Sequence, residues 1–160
     1  MFVRSAGERD LAAIHELLVE TWHATYDVIY GRERVNEITG EWHSIPALKA
    51  RLTRPNSEFV VVDDGERICA MAFAAATSDG KTVILQQLYV RTDCQRRGIG
   101  RMLLDEIEDC FPDARLIRLE VEPANAQALA FYEANGFRAI GDAEADATGV
   151  ASLLLEKHLA

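Results

Sequence analysis

The sequence predicts an α+β fold of three layers, α/β/α, built on a mixed, mostly antiparallel sheet of about seven strands. Three observations lead there. Seven short runs rich in Val, Ile, Leu and Phe are separated by polar punctuation. Three of them follow one another with only the Asp-Gly turns "DDGE" (63–66) and "SDGK" (78–81) between them, so they are hairpin-linked and antiparallel. Segments of helical period lie on both sides of that block.

Taken in order, "FVRSA" is a short strand, and "ERDLAAIHELLVETW" sets Leu11, Ile14, Leu17, Leu18 and Trp22 at helical spacing. From Tyr26 to Arg54 the pattern loosens. Aromatic residues, Gly31, Gly40 and Pro46 interrupt it, and "PALKARL" alone suggests a short helix, so this stretch is expected to cover something and not to form the core. "SEFVVVDD", "RICAMAFAAAT" and "KTVILQQLYV" are the hairpin-linked strands. Further on, Met102, Leu103, Ile107, Cys110 and Phe111 recur at three- and four-residue intervals, with acidic residues mostly on the other face. That is a surface helix on a sheet. "RLIRLEVE" then alternates as a strand, Asn125 is placed to cap "AQALAFYEA", and Asn135-Gly136 would end that helix through a left-handed glycine. "FRAIGD" and "VASLLLEKHL" supply two closing strands. Residues 1–160, without repeats or low-complexity tails, are expected to form one domain.

Composition narrows the function. A net charge of -9 argues against nucleic acid, which demands a basic footprint, and mildly favours cationic substrates. No apolar run approaches the roughly 20 residues of a membrane span, and "MFVRSAGERD" lacks a signal-peptide core, so no membrane and a cytoplasmic location are expected. Cys69, Cys94 and Cys110 read as free thiols, and the four histidines show no ligand spacing, so no metal is expected. Cys94, beside Arg96 and near a helix start, could be oxidation-sensitive, although an ordinary partly buried thiol explains it as well.

The junction "VRTDCQRRGIGRMLL" departs from that acidic background. Residues 91–101 carry Arg91, Arg96, Arg97 and Arg101 against Asp93 alone, four minus one, or +3. Gln95, Arg96, Arg97, Gly98, Ile99 and Gly100 spell Q-x-x-G-x-G between a strand and a helix. Glycines let backbone approach a ligand, and the free NH groups of a helix's first turn favour an anion, plausibly a phosphate. The Lys-Ser/Thr pair of an ATP-binding loop is missing, and the glycines do not match a dinucleotide fingerprint. A plain helix start with surface arginines also satisfies the spacing.

The run "LYVRTDCQRRGIGRMLL", followed by "LEVEPANAQALAFYEANGF", resembles the GNAT superfamily of acyl-CoA-dependent N-acyltransferases, most specifically from Lys81 to Phe137. The resemblance implies the acyl-CoA N-acyltransferase fold, with acetyl-CoA as co-substrate. It implies that backbone NH groups from Gln95 or Arg96 through Arg97, Gly98, Ile99, Gly100 and Arg101 hold the pyrophosphate. The end of "LQQLYV" would splay from the next strand, leaving main-chain groups of Leu88 and Val90 for the pantetheine arm and the NH of Leu88 or Tyr89 for the thioester oxygen. Asn125 and Tyr132 match the family's N-x(6)-Y motif, and seven residues place both on one helix face.

Acetyl transfer to an amine needs a base, an oxyanion donor and a proton for the thiolate. Tyr132 would give that proton, or its ring is simply packed. Glu120, with Glu122 in reserve on the same strand face, is the candidate base; a salt-bridged carboxylate or bound water remains open. Gln86 and Gln87 stand where many relatives carry an acid, which shifts weight to Glu120 or water. Among the aromatic residues and histidines near the loose segment, Trp22, Tyr26 and Tyr30 are expected to line an acceptor pocket. Asp142, Glu144 and Asp146 would draw a cationic amine or form a solvated turn. The expected function is N-acetyl transfer from acetyl-CoA to a primary amine, of a small molecule or a peptide, in a ternary complex. The alternative is an acyl-CoA-binding sensor module without turnover. Such proteins are often dimers, which keeps a homodimer open.

Overall fold

Residues Ile68–Ala75 are buried along their whole length, which requires a strand covered on both faces in the middle of a sheet. The computed structural model describes residues 1–143 and 152–159. In chain order the elements are β1 (Phe2–Ser5), α1 (Leu11–Tyr30), α2 (Arg32–Trp42), α3 (Ile45–Leu52), β2 (Ser57–Asp63), β3 (Ile68–Ala76), β4 (Thr82–Val90), α4 (Ile99–Cys110), β5 (Leu116–Val121), α5 (Ala126–Ala134), β6 (Arg138–Ala143) and β7 (Ser152–His158). The seven strands form one sheet in the order β1-β2-β3-β4-β5-β7-β6. Every neighbouring pair is antiparallel except β4 and β5. The α+β fold expected from the sequence is therefore the fold observed.

Alternation along the strands sorts two cores. Phe59, Val61, Met71 and Phe73 pack with Leu11, Ile14, Leu17, Leu18 and Leu48 from α1 and α3. Val60, Val62, Ala70, Ala72 and Ala74 face the other way, against Ile99, Leu103, Leu104 and Ile107 of α4. The alanines of β3 are small where α4 lies over them, so that helix can approach the sheet closely.

One irregularity shapes the site. Pairing between β3 and β4 jumps from Phe73↔Gln87 to Ala74↔Leu85, leaving Gln86 as an extra residue on β4. A bulge bends its strand. Beside it, β4 pairs with β5 only where Thr82–Ile84 meet Leu116–Arg118, and beyond Ile84 the two parallel strands have no common ladder.

The segment 26–54 differs from expectation. It holds α2 as well as α3, and α1 runs on to Tyr30, where Gly31 (φ 87°) turns the chain into α2. Leu48 is fully buried in the core under α1, so this segment builds core as well as covering it. Helix α2 escaped the pattern because its buried side chains are only Val35, Ile38 and Thr39, with Gly40 in its last turn. The other boundaries hold: Ser44 caps α3, Asn125 caps α5 through Ala128 N at 3.2 Å, and Gly136 (φ 94°) follows α5 in the left-handed region.

Ala72, fully buried beneath α4, gives a direct check on this packing. Ala72→Leu should lower unfolding free energy by about 1–3 kcal/mol through overpacking, measured by urea denaturation.

Candidate active site

The loop before α4 is shaped by backbone conformation. Gln95 has φ -68°, Arg96 has φ 65° and Gly98 has φ 76°, after which α4 begins at Ile99. Alternating signs of φ turn successive NH groups toward a common concave side, and the free NH groups of the helix's first turn add to it. The two glycines serve different ends. A Cβ on Gly98 would meet nothing within 4 Å, so glycine is needed there for its left-handed φ. A Cβ on Gly100 would stand 2.8 Å from Phe131 Cζ, so glycine there lets α4 touch α5.

The local charge is also resolved. Arg91 is tied to Glu20 at 2.7 Å and to the Ile68 carbonyl at 2.8 Å, while Asp93 pairs with Arg67 at 2.8 Å. Exposed Arg96, Arg97 and Arg101 have no acidic partner among the described residues. Cys94 is fully buried, not partly, and accepts from Arg67 Nη2 at 3.3 Å.

From this loop a cleft of about 960 Å³ passes through the gap between β4 and β5. Every residue predicted for the cofactor, the chemistry and the acceptor lines it except Arg97. On the free side of β4, the Val90 carbonyl accepts from Gln95 Nε2 at 3.1 Å, and Gln95 Oε1 accepts from Gln127 Nε2 at 3.1 Å. Tyr132 is 9 % exposed, packed edge-on against Phe131 and Phe137. Burial pushes its phenol pKa up and keeps it protonated. Asn125 also donates from Nδ2 to the Tyr26 hydroxyl at 3.3 Å, joining α5 to α1 across the cleft.

On the other side of the sheet, Trp22, Tyr26 and Tyr30 form a ladder along α1, with ring centroids 4.4 and 5.5 Å apart. The Tyr30 hydroxyl donates to Glu122, whose other oxygen accepts from Ala124 N at 3.1 Å. Leu119 and Val121 of β5 belong to the α4-side core, so alternation turns Arg118, Glu120 and Glu122 toward the face that carries α1. Glu120 is the more exposed of the two carboxylates. Asp142 ends up in β6, whereas Glu144 and Asp146 lie outside the described residues.

Sequence reasoning did not single out Gln87, His43 and Arg51 as site residues, yet all three line the cleft. Gln87 is only 7 % exposed although Gln86 beside it is exposed: the extra residue shifts the alternation along β4, so that Gln87, opposite Phe73, points to the face that carries α1. Its Nε2 donates to Nδ1 of His43, itself 6 % exposed, at 2.9 Å. Burial, reinforced by Arg51, depresses the His43 pKa to about 3, so the imidazole is neutral. The signal available in sequence was two glutamines in an otherwise apolar strand.

The Acetyltransferase (GNAT) family profile matches residues 11–137, which includes the loop, the split strands and α5. The chain belongs to that family. Among its GNAT relatives, the spermidine N(1)-acetyltransferase of Thermoplasma acidophilum is 27% identical over 85% of this chain and 87% of its own. The peptidyl-lysine N-acetyltransferase YiaC of Escherichia coli is 28% identical over 91% of this chain and 89% of its own. The PaiA N-acetyltransferase of Thermoplasma acidophilum, solved in complex with coenzyme A, has the same fold, with a TM-score of 0.87, 22% identity and coverage of 99% of this chain and 98% of that one.

The buried imidazole makes stability pH-dependent. The folded pKa of His43 lies below its unfolded value near 6.5, so the unfolded chain binds more protons between about pH 6.5 and 3 and stability falls as pH drops through that window. Between pH 6.5 and 4.5, above most carboxylate titrations, urea denaturation should show a loss of up to about 1.4 kcal/mol per pH unit. His43→Asn should flatten that slope.

Proposed function

We propose that this chain moves an acetyl group from acetyl-CoA to a primary amine by direct attack in a ternary complex. The observation that carries this reading is a single cleft that joins an anion-binding loop to a strand edge left open by the β4 bulge. The donor set fits the cofactor: NH groups of residues 95–101, with Arg96 and Arg101, suit a diphosphate, and the edge of β4 from Leu88 to Val90, which has no ladder with β5, suits an amide-bearing arm. Acetyl-CoA supplies an activated thioester. The identity of the donor acyl group is part of this proposal.

In the reaction, the amine nitrogen forms a bond to the acyl carbon, the carbon–sulfur bond breaks, and the amine's proton must leave as the thiolate gains one. Glu120 takes the proton from the amine, directly or through water, with Glu122 on the same strand face as the second carboxylate. The NH of Leu88 or Tyr89 steadies the carbonyl oxygen as charge grows on it. Tyr132, held protonated by burial, donates to the departing sulfur. Trp22, Tyr26 and Tyr30 wall the acceptor side, where an amine's carbon chain packs against rings.

Two measurements test this. Tyr132→Phe should lower kcat for thiol release by about 10²-fold or more while calorimetric affinity for acetyl-CoA changes little; unchanged turnover removes its role. Glu120→Gln should lose activity near pH 7 and recover part of it at higher pH, where more of the amine is already neutral. A pH profile parallel to that of the parent chain points to water or Glu122 instead.

A further inference from the structure

On the β4 side of the acceptor compartment one half-buried cation has no counterion among the described residues. Arg51, in the last turn of α3, borders the cleft near Tyr89. Its Nη2 donates to the Trp42 carbonyl at 2.7 Å. Its Nη1 is covered from solvent and has no hydrogen-bond partner among the described residues. The charged side chain that bears on it is Arg54, and no carboxylate among the described residues does. Such a guanidinium stays charged, and leaving it uncompensated in a protein wall is an unfavourable state that an anion relieves.

Gln87 adds a second, independent mark. Its Oε1 is buried and has no hydrogen-bond partner among the described residues, while its Nε2 is spent on His43. Turning the amide over is compatible with the other tautomer of His43, whose Nδ1–H would then donate to Oε1 and free the Gln87 NH₂ group. Either way Arg51 and Gln87 each hold polar capacity that no other described residue uses, and covered groups of that kind call for an explanation such as an absent partner.

The β5 side of the same compartment carries the opposite charge, from Glu120 and Glu122, and the rings of Trp22, Tyr26 and Tyr89 line the space as well. A polyamine would bring a second ammonium toward Arg51. A molecule with an ammonium at one end and a carboxylate at the other satisfies both sides.

We infer that the acceptor is an amine that also carries a carboxylate, which Arg51 holds with Gln87 while the amine faces β5 and the thioester. This rests on the transferase reading and adds the substrate class. Arg51 is the specificity-determining residue. A change of rotamer about its last torsions brings Nη1 from the wall to the bound carboxylate, and the planar fork then pairs with it bidentately.

The test uses the full chain, acetyl-CoA and matched acceptors: a series of ω-amino acids with one to five methylenes, aromatic α-amino acids, the corresponding amines lacking the carboxylate, and spermidine. At least one acid should exceed its matched amine in kcat/KM by about 10- to 100-fold, the worth of a hydrogen bond to a charged group. Spermidine should be poorer than that acid. In Arg51→Met the ratio of acid to amine should collapse toward one, mainly through KM, with calorimetric affinity for acetyl-CoA retained as the control for folding. If amines are acetylated but no acid exceeds its matched amine, or if spermidine is the best acceptor, the inference falls and the transferase reading stands; if acetyl-CoA binds and no acceptor is acetylated, both fall. A ratio unchanged in a folded Arg51→Met also overturns the inference. Should acetyl-CoA not bind the parent chain, the transferase reading fails first and the inference with it.

Discussion

The site depends on where β4 stops pairing with β5. Gln86 is one residue too many for the ladder with β3, and the bend that accommodates it lies next to the last parallel pair at Ile84 and Arg118. From there the two strands flank a gap, and the cleft runs through it from the loop at residues 95–101 to the face that carries α1. Without the gap, the loop and the aromatic ladder of α1 would lie on opposite sides of a closed sheet. The same extra residue shifts the alternation of β4 and puts Gln87, opposite Phe73, on the face that carries α1, so one insertion lies beside the passage and also turns a polar side chain into it.

Charge follows the same geometry. The chain is acidic as a whole, yet at the loop before α4 three arginines, Arg96, Arg97 and Arg101, stand exposed without an acidic partner among the described residues, because Arg91 is bound to Glu20 and Asp93 is drawn off by Arg67. A count along the sequence gives the correct local sign but assigns it to the wrong members. On the far side, Glu120 on β5 and Glu122 just past its end face Arg51 near β4, while Arg118 on the same face of β5 is paired with Glu156, so the two edges of the gap differ in sign.

Elements with strong local signals were readable from sequence. The hairpins at the two Asp-Gly turns, the Asn125 cap and the glycine after α5 each depend on a residue or two whose conformational preference is decisive. Helix α2 was not readable, since its buried face is only Val35, Ile38 and Thr39, at helical spacing but too short and too polar to stand out, and its stability comes from packing on α1. Nor was the placement of Gln87, His43 and Arg51 together. Those residues are 36 and 44 positions from Gln87 in the chain, and only the tertiary meeting of β4 with α3 and the end of α2 brings them to one wall. Likewise, Gly100 carries the motif's spacing, but its need for a bare Cα comes from Phe131, a partner that lies outside the motif.

That last contact joins parts of the molecule whose tasks differ. Gly100 sits in the first turn of α4, against the ring of Phe131, and Phe131 is the chain neighbour of Tyr132, with which its ring makes an edge contact at 5.2 Å. There is no slack between the two helices at this point. A side chain larger than hydrogen at the head of α4 would therefore press, through one aromatic ring, on the helix that carries the phenol. The seating of α4 on the sheet and the orientation of the helix that bears Tyr132 become one mechanical property, and neither can be tuned alone.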